Sequence, residues 1–138
     1  MGGVERRNFN PKGLAPPLGP YVHAVRVSGG DMVFVSGCIS TDENGRIVGP
    51  GDVAAQTRRT MENLRACLAE AGAEMSDVVK ITNFVLDARD YPQIAPVRAE
   101  FLTEPFPASS MVEVKGFMFP GLLIETEAIA VIGAGAGG

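Results

Sequence analysis

The sequence of 138 residues contains one histidine, two cysteines and no tryptophan. With a single histidine, a zinc site built from histidine and cysteine ligands lacks donors at any usual spacing. Cys38 and Cys67 form no CxxC pair and no disulfide framework, so each is predicted to be a reduced thiol that packs as a small core side chain. The scarcity of these residues argues against a transition-metal enzyme.

The chain also lacks a long apolar run and a basic cluster. No stretch approaches the roughly 18 apolar residues that a membrane span needs, and the first residues do not resemble a signal peptide. Twelve basic and 16 acidic residues give a net charge of −4, which disfavours binding to nucleic acid or to anionic membranes. The sequence therefore predicts a cytoplasmic protein without a nucleic-acid or membrane partner.

The length and an apolar content of 46% are typical of one folded domain. Residues 1–20 contain four prolines and four glycines, which predicts an N-terminal arm without regular structure. Residues 21–132 form the predicted domain, and residues 133–138 a flexible glycine-rich tail. The GAGAGG of that tail matches the spacing of a dinucleotide-binding loop, but no helix follows it to receive a phosphate.

Apolar periodicity predicts two helices and five strands. The helices are expected at residues 52–71, with Asp52 as N-cap and Gly72 beyond the C-terminus, and at residues 90–102. The strands are expected at residues 21–27, 32–36, 78–86, 109–114 and 122–132, the first two as a hairpin. This β-β-α-β-α-β-β order predicts an α+β fold, one mixed sheet with two helices on one face. The uncovered face would be apolar, which predicts self-association.

Two side chains, His23 and Glu125, are candidates for proton transfer. His23 is the only side chain that ordinarily titrates near neutral pH, although a structural role is the simpler interpretation in a strand. Glu125 lies in the most apolar predicted strand, where a carboxylate is costly unless it is hydrogen-bonded, ion-paired or functional. Glu127 has the same strand parity and competes for either role.

Six motifs in order resemble the RidA/YjgF family of reactive-intermediate deaminases over residues 13–131. They are GPYVHAV at 19–25, FVSG at 34–37, AAQTRRTMENLRACLAEAG at 54–72, AEF at 99–101, EPFPA at 104–108 and IETEAIAV at 124–131. The resemblance implies a chorismate-mutase-like homotrimer with small-molecule clefts between subunits. It also implies hydrolysis of enamines and imines without a metal or organic cofactor. Tyr21, Ser36, Gly37 and Glu125 match the family's pocket positions.

Several positions depart from the family pattern. The carboxylate-binding arginine of the FPARS motif corresponds to Ser109, and the cysteine two residues later corresponds to Met111. The connection before the last strand is one residue longer and contains Phe117, Met118 and Phe119. Arg98 and Lys115 are the alternative cations, each expected at the surface. The departures predict an enzyme with altered specificity toward a neutral or larger apolar substrate.

The resulting hypothesis assigns catalysis to Glu125 and Tyr21. The predicted substrate-binding residues are Ser36, Gly37, Ser109, Met111, Phe117, Phe119 and His23. A non-catalytic small-molecule-binding or chaperone-like trimer is the alternative. A ribonuclease, another activity attributed to the family, is disfavoured by the net charge.

Overall fold

The computed structural model describes residues 3–135 of the chain. Two helices and six strands account for its regular structure, together with two short 3-10 helices. In chain order they are β1 (Glu5–Phe9), β2 (Ala24–Ser28), β3 (Met32–Ile39), α1 (Val53–Glu70), β4 (Val78–Val85), α2 (Tyr91–Ala99), β5 (Ala108–Glu113) and β6 (Ile124–Val131). The 3-10 helices, Met75–Asp77 and Ala88–Asp90, precede β4 and α2.

The main sheet has four strands in the order β3-β6-β4-β5. β6 pairs antiparallel with both β3 and β4, whereas β4 and β5 are parallel and joined through α2. The predicted mixed sheet with two helices is confirmed. The predicted hairpin of the first two strands is wrong, because β2 pairs with β1 in a separate two-stranded sheet.

The N-terminal arm is more ordered than its composition predicts. β1 occupies five residues of the segment that was expected to lack regular structure. The Arg6 guanidinium holds it in place by donating to the carbonyls of Ser76 at 2.7 Å, Val78 at 3.0 Å and Phe106 at 3.0 Å. Contacts 70 to 100 residues away therefore order the arm, and local sequence propensity cannot reveal them.

Helix α1 follows the sequence prediction closely. The Asp52 carboxylate accepts a hydrogen bond from the Ala55 backbone N–H at 3.0 Å and caps the N-terminus. Gly72 has a φ of +86°, a conformation that L side chains rarely adopt, just past the C-terminus. Met61, Leu64 and Leu68 are fully buried and form the contact with the sheet.

Helix α2 ends earlier than predicted. It stops at Ala99, and the buried Phe101 lies in the turn that follows. Pro92 lies in the first turn, where its missing N–H costs nothing. Pro96 lies inside the helix and is exposed, while Ile94 and Val97 on the opposite side are buried. Pro96 therefore removes a backbone donor on the exposed side of α2 and leaves its packed side intact.

The two faces of the main sheet differ sharply in exposure. On β6, Ile124, Thr126 and Ala128 point toward the helices and are at most 4% exposed. The opposite face has no covering layer within residues 3–135, and Phe34 there is 68% exposed. We call this uncovered surface the open face.

The predicted tail begins with an ordered turn. Ala134 is buried, and the Gly135 backbone N–H donates to Asp77 Oδ1 at 2.8 Å. The expectation of a flexible tail is therefore wrong for residues 133–135. Residues 136–138, which contain the rest of that tail, lie outside the described residues.

Candidate functional site

Glu125 lies on the open face, near the start of the inner strand β6. Its neighbours across β6 are Ile39 on β3 and Phe84 on β4. The residue is half-buried, and within residues 3–135 its carboxylate accepts no hydrogen bond. It borders a groove of about 390 Å³ that Phe84, Phe117 and Met118 also line. Within the described residues, the Glu125 carboxylate therefore borders an apolar groove without a hydrogen-bond or ion-pair partner.

A bulge in β3 faces this carboxylate. The β3–β6 pairing shifts register between Val35 and Cys38, so Ser36 and Gly37 stand outside the ladder. A Cβ added at Gly37 would collide with the Glu125 carboxylate. Ser36 and Gly37 also line a neighbouring groove of about 470 Å³. The structure thus brings together three of the predicted site residues, Ser36, Gly37 and Glu125.

The aromatic residues of the β5–β6 loop separate into two places. Phe117 is half-buried beside the Glu125 groove. Phe119 is 58% exposed and lies in a different groove, of about 530 Å³, with Ile39 and Ile47. Of the two phenylalanines that the sequence predicts to bind substrate, only Phe117 therefore lies beside Glu125. We call Ser36, Gly37, Phe117 and Glu125 the open-face cluster.

Gln56 anchors the far end of that loop, and sequence analysis missed it. This fully buried residue of α1 donates through Nε2 to the carbonyls of Gly49 at 3.2 Å and Gly121 at 3.0 Å. Its Oε1 accepts from the Leu123 backbone N–H at 2.9 Å. The available signal was a polar side chain beside the apolar stripe of a helix.

Tyr21 and His23 lie at the other edge of the sheet. Val22 between them forms a bridge with Ala108 of β5, and its N–H donates to the Pro107 carbonyl at 3.1 Å. The Tyr21 hydroxyl accepts from the Leu18 N–H at 3.3 Å. Asn10 Oδ1 lies 2.9 Å from His23 Nδ1 and 2.8 Å from the His23 backbone nitrogen. These contacts fix both rings, which meet edge to face at 6.3 Å.

Ser109 and Met111 lie on β5 and point toward the helix layer. Met111 packs against a cluster that contains Ile94 and Ile124. Ser109, two residues earlier in the strand, has the same parity. Its hydroxyl accepts a 3.4 Å hydrogen bond from Arg98 Nη2. We call Tyr21, His23, Arg98, Ser109 and Met111 the edge cluster.

Arg98 occupies a position that the sequence did not predict. The expectation of a surface residue is wrong, because it is 5% exposed beneath the end of α2. Burial lowers the pKa of its guanidinium, an effect that Tyr91 partly opposes. The expectation for Lys115 is met, since that residue is exposed in the β5–β6 loop.

The open-face and edge clusters do not meet within one chain. Glu125 points away from the helices, since its neighbours Ile124 and Thr126 are buried against them. Ser109 and Arg98 lie between the sheet and α2. The sheet therefore separates the predicted proton-transfer group from the predicted substrate-binding edge.

The two cysteines lie beside each other next to the Ser36–Gly37 bulge. They line the same groove from β3 and α1. Burial, followed by the proximity of Cys67, raises the pKa of Cys38 to about 12. Cys67 is exposed, contrary to the expectation of two core thiols, while Cys38 is half-buried and packs against the core.

Within residues 3–135, no group of three or more histidine, cysteine or acidic side chains is placed to hold a metal ion. No helix there has the length and apolar character to cross a membrane.

Known proteins share both the sequence and the fold. A 3-aminoacrylate deaminase, RutC, from Acinetobacter baylyi is 42% identical over 120 residues, covering 87% of this chain and 93% of the relative. The 2-iminobutanoate/2-iminopropanoate deaminase of Escherichia coli is 40% identical over 118 residues, covering 83% and 88%. The crystal structure of YyfB, a Yersinia pestis Rid-family protein of unknown function, superposes with a TM-score of 0.85 at 32% identity. It covers 92% of this chain and 98% of that one.

A family model described as Endoribonuclease L-PSP matches residues 13–132, nearly all of the described chain. That span includes β2 to β6 and both helices. The relatives named as deaminases indicate imine and enamine deamination as an activity within the family. The matching model, the identities above 30% and the shared fold together show that the chain belongs to the RidA/YjgF family.

Proposed function

We propose that this protein hydrolyses an enamine or imine intermediate, with Glu125 as its proton-transfer group. The names of the relatives support the reaction class. The observation that carries the proposal is the unpaired, half-buried Glu125 carboxylate at an apolar groove. A carboxylate without a hydrogen-bond or ion-pair partner within residues 3–135 is available to contact a bound molecule.

The reaction needs few protein groups. An enamine is protonated at carbon to give an iminium ion, or an imine enters directly. Water adds to the C=N carbon, the C–N bond breaks, and the products are a carbonyl compound and ammonia. Glu125 protonates the enamine carbon, takes a proton from the attacking water and returns it to the leaving nitrogen. As the C–N bond breaks, the carboxylate takes the hydroxyl proton of the carbinolamine, which restores the acid for the next turnover.

The groups around Glu125 fit substrate positioning. The Ser36–Gly37 bulge supplies backbone groups outside the sheet ladder, and Gly37 allows close approach to the carboxylate. Phe117 and Met118 form an apolar wall. Tyr21 is assigned to substrate orientation, and its ring is fixed beside that of His23.

Assembly would complete the site. A homotrimer with clefts between subunits would cover the open face, on which Phe34 and Met32 are 68% and 59% exposed. In such a cleft the open-face cluster of one subunit faces the edge cluster of the next. This arrangement would bring Glu125 and Tyr21 to one substrate.

Specificity is proposed to differ from that of the deaminase relatives. The family pattern places a carboxylate-binding arginine where this chain has Ser109, whose short side chain cannot make a bidentate contact with a carboxylate. A substrate must therefore be held by other groups.

The test measures ammonia release from freshly generated imines by wild type, Glu125→Gln and Glu127→Gln. The substrates are 2-aminoacrylate, a bulkier imino acid and an imine without a carboxylate. Glu127 is the competing carboxylate, since it lies on the same strand and face, is exposed and borders the same groove. We expect Glu125→Gln to lower kcat/KM by about 10²–10⁴-fold and Glu127→Gln to leave it within a few-fold.

Unchanged turnover in Glu125→Gln would refute the role of this carboxylate. Wild-type protein that hydrolyses none of the imines would refute the proposed reaction. Stabilisation of such an inactive protein by small molecules would instead favour the non-catalytic binding alternative.

A further inference from the structure

Arg98 is a buried cation with too few partners. The residue is 5% exposed, and its Nε has no hydrogen-bond partner. Nη2 makes one contact, the 3.4 Å hydrogen bond to Ser109 Oγ. Buried guanidinium groups are normally satisfied by carboxylates or by several carbonyls. Arg6, whose guanidinium reaches three carbonyls within 3.0 Å, shows the usual arrangement in this same chain.

No acidic side chain neutralises Arg98 within residues 3–135. The ion pairs found there are Arg58 with Glu100 and Arg89 with Asp87, both at the surface. The influences on the pKa of Arg98 are burial and Tyr91, with no carboxylate among them. An uncompensated buried charge is costly, which makes Arg98 a candidate for binding an anion from outside the chain.

The unsatisfied atoms form one side of the guanidinium fork. Nε–H and one Nη2–H point in the same direction and match the two oxygens of a carboxylate. Nε has no partner and Nη2 has only a long contact. The half-buried Ser109 adds a neutral hydroxyl at this edge, and the exposed Tyr91 lies nearby with its hydroxyl against Gly19.

We propose that Arg98, with Ser109 beside it, binds the carboxylate of a small 2-imino or 2-enamino acid. The anchoring cation then comes from helix α2, and the serine on β5 accepts one of its hydrogen bonds. This inference rests on the proposed function for the identity of the substrate, whereas the binding of a carboxylate is testable without turnover. It replaces the expected neutral or larger apolar substrate by a carboxylate-bearing one, which is held by an arginine from helix α2 and not from strand β5.

Binding is tested with pyruvate, the keto-acid product of 2-aminoacrylate hydrolysis, by calorimetry or NMR titration of the whole protein. Arg98→Met is compared with Arg89→Met, which removes an exposed arginine whose partner is a surface aspartate. We expect Arg98→Met to weaken pyruvate binding at least about 30-fold, and Arg89→Met to leave it unchanged. Arg98→Lys keeps the charge without the fork and is expected to recover only part of the affinity.

Thermal unfolding shows whether each variant folds. Replacing an unpaired buried cation by an apolar side chain is often neutral or stabilising, so Arg98→Met is expected to unfold no earlier than wild type. Equal pyruvate affinity in folded Arg98→Met and wild type would overturn the inference.

Turnover separates this inference from the proposed function. Arg98→Met is expected to raise KM for 2-aminoacrylate far more than for an imine without a carboxylate. Equal losses on both substrates would assign Arg98 a structural role and leave imine hydrolysis in place. Arg98-dependent pyruvate binding in a protein that hydrolyses no imine would support the anchor and refute the reaction.

Discussion

The two faces of the four-stranded sheet hold opposite charges in different surroundings. On the open face, Glu125 borders an apolar groove that solvent reaches. On the helix-covered face, Arg98 is almost fully buried against Ser109. Had both side chains shared one face, they would have been free to form an ion pair and neutralise each other. The sheet keeps them apart, so each charge stays available for a molecule that the chain itself does not supply.

The largest expected effect comes from testing whether Glu125 of one copy and Arg98 of another copy serve the same site. Glu125→Gln and Arg98→Met are each expected to lose most turnover of 2-aminoacrylate. Refolding the two variants together places an intact Glu125 opposite an intact Arg98 in some interfaces. With random mixing in a ring, roughly a quarter of the sites are native, so about that fraction of activity should return.

The control for this experiment is each variant refolded alone, which should remain inactive. If Glu125 and Arg98 of the same chain served one site, no mixed interface would contain both, and mixing would restore nothing. That result would contradict the proposed contact between the open-face cluster of one copy and the edge cluster of another.

Gly37 offers a change confined to the open face. In Gly37→Val the new side chain occupies the space of the Glu125 carboxylate. We expect a loss of about 1–3 kcal/mol in the free energy of unfolding, together with a large loss of turnover. Denaturant titration and the ammonia assay measure the two effects. Gly3→Val is the control, because a Cβ there meets nothing within 4 Å and Gly3 lies outside the Glu125 groove; equal effects at both glycines would refute the close approach.

Asn83 offers the corresponding change on the helix-covered face. Its amide donates to the Ser110 carbonyl at 3.1 Å and its Oδ1 accepts from the buried Thr126 hydroxyl at 3.2 Å. Asn83→Ala leaves that hydroxyl without its acceptor, at an expected cost of about 1–3 kcal/mol in stability. Gln93→Ala, at an exposed position of α2, should change stability by less than about 0.5 kcal/mol. Equal denaturant midpoints for Asn83→Ala and Gln93→Ala would contradict this expectation.

The smallest expected effect concerns the thiol beside the bulge. Burial and the nearby Cys67 raise the pKa of Cys38 from its ordinary value of 9.0 to about 12. Between these values the unfolded chain loses the thiol proton while the folded chain retains it. The thiol's contribution to stability is therefore full below pH 9.0 and falls as pH rises toward about 12.

Cys38→Ala should accordingly flatten the alkaline decline in stability as pH rises from 9.0 toward about 12. Urea unfolding at several pH values measures this decline. Cys67→Ser, which removes one of the causes of the shift, should flatten it partly. An identical slope in wild type and Cys38→Ala would show that the burial of this thiol is not coupled to its titration.

Local signals explain which parts of the fold could be predicted. The capping carboxylate of Asp52, the apolar period of α1 and Gly72 all lie within the helix or next to it. The alternation on β6 likewise identifies its two faces from eight consecutive residues. Each of these features depends on neighbours in sequence, so the sequence was sufficient to find them.

Distant contacts explain the errors. β1 forms because Arg6 reaches carbonyls far along the chain, and its pairing with β2 replaces the predicted hairpin. Arg98 was expected at the surface because arginine on a helix usually is exposed. Its burial depends on β5, which the parallel pairing with β4 holds beside it. The residue types at these positions do not indicate which distant residues they contact.

The Gln56 side chain has an implication for how such a protein diversifies. It fixes Gly121 and Leu123 to helix α1, just before β6 begins. We therefore expect insertions or substitutions in the preceding residues 114–120 to leave the register of β6, and with it the position of Glu125, unchanged. Residues 114–120 can then vary during evolution or by design, which changes the apolar wall of the groove while Glu125 keeps its position.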